Sequence, residues 1–112
     1  VEDQAVFVCR LNPSRQIQIV NNAFTAYFGG NAEAYVDRDF SELMSGADRE
    51  RIQNEIGRLN LQNPVLHFEH RISRFMNDNR WVRWILKAVF NPEGEVQELQ
   101  GVGIDVTEYR LQ

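Results

Sequence analysis

Asp105, Glu108 and Arg110 carry the polar groups whose spacing is most informative, and the chemistry they suggest is hydrogen bonding at a helix start. Asp105 and Glu108 stand three residues apart, in the order of a capping box, where the first carboxylate accepts from backbone N–H groups that a helix leaves unpaired. Asp105 can also attract the Arg110 guanidinium. Val102 and Ile104 alternate before it as in a half-buried strand. We therefore expect a module cut from a longer protein, with the helix that begins here as its output.

His70 is the one histidine whose strand position points it inward, beside Phe68 and Ile72. An imidazole there could ligate a haem iron or meet a polar group of a ligand. It could also be a neutral core histidine hydrogen-bonded to backbone, which is the interpretation we favour. His67 falls on the opposite face of the strand and is expected to be solvated.

Other reactive side chains do not form a recognisable catalytic or metal site. Cys9 is the single cysteine, so it cannot form an internal disulfide, and it lacks metal-ligand spacing. The serines lie in predicted turns or exposed strand positions, with no reason to be near His70. Gly101 and Gly103 lie inside a strand, so they do not form a phosphate-binding loop. We expect this chain to have no enzymatic activity of its own.

Composition and charge restrict the class of protein. The chain has 112 residues and 43% hydrophobic content, enough for one domain over residues 1–112. A net charge of −4 argues against nucleic acid as a partner. The apolar runs are too short for this segment to insert in a membrane. No secretory leader is visible, and a single cysteine suits a reducing, cytoplasmic compartment. The basic cluster is predicted to be a solvated strand face: Arg71, Arg74, Arg80 and Arg83.

The first half of the chain alternates in hydrophobicity and then becomes helical. Residues 5–20 predict a β-hairpin. Asn21 or Asn22 can cap a short helix whose aromatic residues share one face. Residues 33–46 predict short helical turns rather than one long helix. A longer helix is predicted to begin at Asp48, with the apolar stripe Ile52, Ile56, Leu59 and Leu61.

The second half has the period of two that is typical of strands. We predict a strand over residues 66–73, a turn at 77–79, a strand over 80–90, a turn at 91–94 and a closing strand over 95–106. Two hairpin-rich blocks around a helical block indicate an α+β domain, with one antiparallel sheet, helices on a single face and a cavity between them. On the strands over 66–73 and 80–90, the residues predicted to face inward include Phe68, His70, Trp84 and Leu86.

Several fragments, in this order, resemble a PAS domain over nearly the whole chain. The last of them is similar to the Asp-Ile-Thr ending (PAC motif) of many bacterial PAS domains, with Val106 in place of Ile. The fragments are Val20-Asn-Asn-Ala-Phe24, Phe40-Ser-Glu-Leu43, Phe68-Glu-His-Arg71, Arg80-Trp-Val-Arg-Trp84, Pro92-Glu-Gly94 and Gly101-Val-Gly-Ile-Asp105-Val-Thr107-Glu-Tyr-Arg110.

This resemblance implies a five-stranded antiparallel sheet with short helices and one longer helix on one face. It also implies a sensory or interaction module of a bacterial signalling protein, feeding a histidine kinase of a two-component system, a cyclic-dinucleotide enzyme or a similar output domain. Such a module would sense a small ligand or the state of a partner. The alternative is a ligand-free dimerisation scaffold that positions output domains.

One set of residues should converge between the helices and the sheet. Apolar walls with a few polar groups are the usual form of a small-molecule site, but the same residues could fill the interior as an ordinary core. The set is Phe24, Tyr27, Phe28, Ile56, Leu59, Phe68, His70, Trp84, Leu86 and Ile104.

The sequence does not identify a cofactor, and we expect none. Covalent-flavin PAS domains carry a reactive cysteine in the helical block, whereas Cys9 lies in the first strand. Haem-binding members hold iron through a histidine on the long helix, and residues 48–61 contain none. A gas or redox sensor that uses haem or non-covalent flavin stays an alternative.

Two further surfaces follow from the resemblance. Trp81, Ile85 and Val89 should line the outer face of the sheet, where the resemblance suggests a homodimer contact; alternatively Trp81 merely lies over arginine stems. Asp105 and Thr107, with Arg110, should form the signal junction where the last strand becomes the signalling helix. A hinge there would redirect the helix when the strand moves, and a simple N-cap is the competing interpretation.

Overall fold

The computed structural model describes residues 4–73 and 79–110. Five strands form one sheet in the order β2-β1-β5-β4-β3, and every neighbouring pair is antiparallel. The predicted α+β architecture is confirmed, while Arg74 and residues 77–78 of the predicted turn lie outside the described residues. The elements are β1 (Phe7–Leu11), β2 (Ile17–Val20), α1 (Asn22–Phe28), two 3-10 helices (Ala32–Tyr35 and Phe40–Leu43), α2 (Gly46–Ile56), β3 (Val65–Ser73), β4 (Asn79–Phe90), β5 (Val96–Asp105) and α3 (Thr107–Arg110).

Asn21 joins the first hairpin to α1. Its side-chain oxygen accepts from the backbone N–H groups of Phe24 and Val8, both at 3.0 Å, so one residue caps the helix and ties it to β1. Of the two candidate caps, Asn21 is therefore the one used. This cap fixes the N-terminal end of α1 against β1, and Tyr27 lies near the opposite end of the helix.

The longer helix differs at both ends from its predicted span. It begins at Gly46, with Ser45 as N-cap, rather than at Asp48. It ends at Ile56, where Gly57 follows as C-cap, so the apolar stripe does not continue as helix. Leu59 lies past the helix end but still packs against the core, whereas Leu61 is 58% exposed.

Trp84 occupies the centre of the core and is fully buried. Gly103 of β5 makes room for it, and Gly101 makes room for Cys9 beside it. A Cβ at Gly103 would lie 2.7 Å from the Trp84 ring, and one at Gly101 would lie 2.8 Å from Cys9 Sγ. Four phenylalanine rings surround the indole, with centroids 6.2, 6.3, 6.4 and 5.1 Å away: Phe7, Phe24, Phe28 and Phe40.

The inward prediction for Ile104 is wrong. The inner positions of β5 are Leu99, Gly101 and Gly103, which are all buried, so Ile104 lies on the opposite face with exposed Val102. The physical reason is the close packing at the two inner glycine positions, where side chains are excluded by Trp84 at Gly103 and by Cys9 and Leu86 at Gly101.

Among the helices of the described residues, none is both long enough and apolar enough to cross a membrane.

Candidate functional site at the Asp105 junction

Asp105, the last residue of β5, joins three parts of the fold. Its Oδ2 accepts from the Tyr27 hydroxyl of α1 at 2.5 Å and from Arg80 Nε of β4 at 2.8 Å. Its Oδ1 accepts from the backbone N–H of Thr107, the first residue of α3, at 2.8 Å. The carboxylate is thus shared by the helical layer, the sheet and the start of the exit helix.

The charge of Asp105 is stabilised by these contacts. Burial alone would raise the pKa of the carboxyl, since its side chain is only 14% exposed. Hydrogen bonds from Arg80, Tyr27 and Thr107 outweigh burial and lower the pKa to about 2. The hydrogen bond to Asp105 in turn raises the pKa of Arg80. At neutral pH the junction therefore holds a paired, ionised carboxylate.

Thr107 fixes the helix start to β4. Its hydroxyl accepts from the backbone N–H of Trp81 at 2.8 Å, and the N–H of Val106 donates to the Trp81 carbonyl at 2.8 Å. These two bonds extend the pairing of β4 past the end of β5. Of the junction side chains, Asp105 makes a local hydrogen bond to Thr107, whereas the Thr107 hydroxyl bonds to a residue of another strand.

The cation paired with Asp105 is Arg80. The sequence had suggested Arg110 for this position. Arg80 also reaches the Glu108 carboxylate, with Nη2 at 3.2 Å from Oε1. Arg110 lies on the outer face of the sheet instead, where it contacts Glu69 and the Trp81 ring. The pairing of Val82 with Asp105 brings Arg80 next to the carboxylate, which proximity along the chain could not indicate.

His70 is buried and hydrogen-bonded within the core. The indole N–H of Trp84 donates to His70 Nε2 at 3.0 Å. Because an indole nitrogen only donates, Nε2 must be the acceptor and the ring proton must sit on Nδ1. Burial lowers the pKa of His70 to about 4, despite the nearby Arg71 backbone and Asp48 carboxylate. Within residues 4–73 and 79–110, Nδ1 has no hydrogen-bond partner. His70 is a neutral core histidine, although its partner is a side chain and not the expected backbone.

The other residues predicted to converge on the interior do so, apart from Ile104. Tyr27 packs its ring on Phe7 at 4.4 Å while its hydroxyl reaches Asp105, a role that was not predicted. The residues that are buried or packed against the core are Phe24, Tyr27, Phe28, Ile56, Leu59, Phe68, His70, Trp84 and Leu86. Haem at His70 does not fit this arrangement, because Trp84 uses Nε2 and occupies the space beside it. Among the described residues, no group of three or more His, Cys, Asp or Glu side chains could hold a metal ion.

Comparison with known proteins agrees with this geometry. A profile of the family described as the PAS fold matches residues 1–111.

The chain belongs to the PAS family.

A curated relative, the two-component sensor PprA of Pseudomonas aeruginosa, is 28% identical over 114 residues. The match covers 98% of this chain but only 12% of that protein, so the PAS domain spans a small part of its relative. The PAS domain of a protein from Colwellia psychrerythraea superposes with a TM-score of 0.81 at 14% identity, covering 92% of this chain and 87% of that one. The N-terminal domain of a diguanylate cyclase with PAS/PAC sensor from Marinobacter aquaeolei gives a TM-score of 0.78 at 17% identity, covering 94% and 98%. These two similarities show a shared fold.

On the outer face of the PAS sheet, the exposed apolar residues are not the predicted row of Trp81, Ile85 and Val89. Trp81 is half-buried, because the guanidinium groups of Arg110 and Arg71 lie 3.6 and 5.2 Å from its ring centroid. Val89 is also half-buried, and Ile85 is exposed. The strand register instead aligns an exposed apolar row across three strands: Val8, Val102 and Ile85, at 40%, 43% and 38% exposure.

A cleft of about 560 Å³ opens at the side of the PAS domain, between the second 3-10 helix and the facing ends of β3 and β4. Phe28 is the one residue it shares with the predicted interior set. Its lining combines apolar and charged side chains: Phe28, Glu42, Leu43, Met44, Ser45, Arg71, Ile72 and Asn79.

Arg80 and Glu69 are the residues of this site that sequence reasoning missed. Arg80 was predicted to be solvated, yet it is the main cationic partner of Asp105. Glu69 had no predicted role, yet it binds Arg83 and Arg110. The contacts of both residues depend on the register between strands. The sequence itself showed only that each charged residue lies on a strand near an aromatic residue.

Proposed function

We propose that this PAS domain is a non-enzymatic relay module of a bacterial signalling protein, with its output domain in the same chain. The relay point is Asp105. The observation that carries the proposal is the sharing of one carboxylate by Tyr27 of α1, Arg80 of β4 and Thr107 of α3. A shift of the helical layer or of β4 changes the geometry around this carboxylate, and hence the helix start.

The input we propose is the state of a partner, not occupancy of the core. Trp84 and its four phenylalanine neighbours occupy the centre of the interior, and Gly103 allows the indole to approach β5 closely. A partner can shift the relay only if it binds one conformation more tightly than the other. Native mass spectrometry tests this point: bare protein supports it, and a stoichiometric small molecule contradicts it and favours a ligand sensor.

We propose a second copy of the domain as the partner, docked on the row Val8, Val102 and Ile85. Apolar side chains aligned across three strands support a contact surface on this face. Ile85→Glu should lower self-association in sedimentation velocity, while Ile19→Glu, at an exposed apolar residue on the edge strand β2, should not. Equal sedimentation of the wild type and Ile85→Glu would rule out this surface.

The relay itself is tested in the protein that carries this domain. Asp105→Asn keeps the size of the side chain and removes its charge, so the output should lose its response to input while the domain stays folded by circular dichroism. The matched control is Asp37→Asn, the same chemical change at an exposed carboxylate whose side chain accepts from Gln18 of β2 and not from a junction residue. A normal response in Asp105→Asn contradicts the relay and leaves the dimerisation scaffold as the better account.

A further inference from the structure

We infer that Glu69 and Trp81 form a clasp on the outer face of the sheet that sets the direction in which the exit helix leaves the domain. The inference deepens the proposed relay and rests on it for its functional meaning. Asp105 determines where α3 begins, and the clasp determines where α3 points, because it holds Arg110 at the end of the first helical turn.

The clasp is built by the pairing of β3 with β4. Glu69 pairs with Arg83 across the two strands, and Trp81 lies opposite Arg71 on the same face. Glu69 Oε2 accepts from Arg83, with Nε at 2.8 Å and Nη2 at 2.7 Å. The other oxygen, Oε1, accepts from Arg110 Nη1. Arg83 thereby orients the Glu69 carboxylate so that Oε1 faces α3.

Two different forces act on the Arg110 guanidinium. It is paired with Glu69, and its Cζ lies 3.6 Å from the centroid of the Trp81 ring, which is cation–π geometry. Burial would raise the pKa of Glu69, but hydrogen bonds from Arg83 and Arg110 outweigh it and lower that pKa, so the carboxylate stays ionised. A planar guanidinium can stack on the indole and bind a carboxylate at once, which an ammonium group does less well.

The clasp is weak enough to open. The side chains of Arg110 and Glu69 are 42% and 23% exposed, so their ion pair is solvated and screened by salt. The Arg80 contact with Asp105 is more buried and less sensitive to salt. Opening the clasp would therefore free the direction of α3 while its starting point stays fixed, and this is the property that a redirected output helix requires.

The clasp can be tested by NMR on the isolated 112-residue chain. An arginine stacked on an indole has side-chain protons shifted upfield by the ring current, so the Arg110 δ protons report stacking directly. Glu69→Gln should move these resonances toward their random-coil positions. It should also speed solvent exchange of the Tyr109 and Arg110 amides about threefold to tenfold. About 1 M salt should act in the same direction on the wild type.

The matched control is Glu98→Gln, which removes another partly exposed carboxylate paired with an arginine of the sheet, Arg10 at 3.9 Å. It should leave the Arg110 resonances unchanged. Should Glu69→Gln affect folding, Arg110→Gln breaks the same contacts from the exposed helix end, and faster exchange of the Tyr109 amide is then the readout. Arg110 resonances and exchange rates equal to the wild type in Glu69→Gln, or an equal change in Glu98→Gln, would overturn the clasp.

The clasp and the relay can fail separately. The NMR readout needs no output domain, so an unchanged spectrum of Glu69→Gln refutes the clasp and leaves the Asp105 relay standing. In the complete protein, Glu69→Gln should change the basal output while the response to input persists. A changed spectrum with unchanged basal output would show that the stacking is structural and refute its role in directing the helix.

Discussion

Replacing Asp105 by Asn should destabilise the domain in a way that depends on pH. The folded-state pKa of this carboxyl is about 2, against an ordinary value of 3.8. Each unit of difference corresponds to about 1.4 kcal/mol, so ionised Asp105 stabilises the folded state by about 2 kcal/mol at neutral pH. Tyr27, Arg80 and Thr107 keep their positions in the variant but lose the charge they surround.

The sign follows from proton binding. Because the folded pKa is lowered, the folded state binds a proton at Asp105 more weakly than the unfolded state does. The stabilisation is therefore complete above about pH 4 and is lost as the pH falls toward about 2. The difference in unfolding free energy between wild type and Asp105→Asn should be about 2 kcal/mol at pH 7 and should shrink below pH 4.

Urea denaturation followed by circular dichroism, at a series of pH values from 7 to 3, measures this difference. Asp37→Asn is the control, and its effect on stability should be small because the carboxylate is exposed. A difference for Asp105→Asn below about 0.5 kcal/mol at pH 7 would mean that the carboxylate is not stabilised as described. A large difference that does not change with pH would attribute the loss to shape and refute the electrostatic account.

Three more variants test the core around Trp84 and the hydrogen bond from Tyr27 to Asp105. His70→Gln should flatten the fall in stability between about pH 6.5 and 4, since a buried histidine with a pKa near 4 costs up to about 3 kcal/mol as the unfolded state binds a proton; an unchanged slope in urea titrations contradicts this. Gly103→Ala should lower stability by about 1–3 kcal/mol, because the new Cβ would lie 2.7 Å from the Trp84 ring; an unchanged Tm would show that the indole can move at no cost. Tyr27→Phe should raise the Asp105 pKa, as a titration of the Asp105 carboxyl carbon by NMR can show, and a titration midpoint equal to the wild type would mean that the hydroxyl contributes nothing.

The inner face of β3 and β4 could be predicted because charged residues define its phase. Arg83 and Lys87 must face water, so Trp84 and Leu86 between them face the core. The same reasoning failed for β5, where two of the inner positions, Gly101 and Gly103, are glycines. Alternation of apolar residues there reveals a face, but Ile104 turned out to lie on the outer one, since both faces of this strand carry apolar groups.

The partners of the charged residues could not be predicted, because they depend on the register between strands. From the sequence, Arg110 was the expected partner of Asp105, because the two are close along the chain. The observed partner is Arg80, which lies on another strand, 25 residues away. For Trp81 the sequence offered either an exposed dimer contact or a position over arginine stems; the structure places the guanidinium of Arg71 of β3 and, closer, that of Arg110 of α3 on its ring. Local patterns identify helix starts and strand faces, and long-range charge pairs need the folded sheet.

The alternation of β4 would allow the proposed relay to couple a filled core to the exit helix. Trp84 faces inward and bonds His70, while Trp81 faces outward under Arg110, and the two lie three residues apart on one strand. Because a paired strand moves as a unit, a tilt of β4 that repacks Trp84 must also displace the Trp81 ring and the backbone that bonds Thr107. A second copy pressing on Ile85 of the same strand would act on both residues at once. No ligand in the core is needed for such coupling, only two arrangements of β4 that the partner binds unequally.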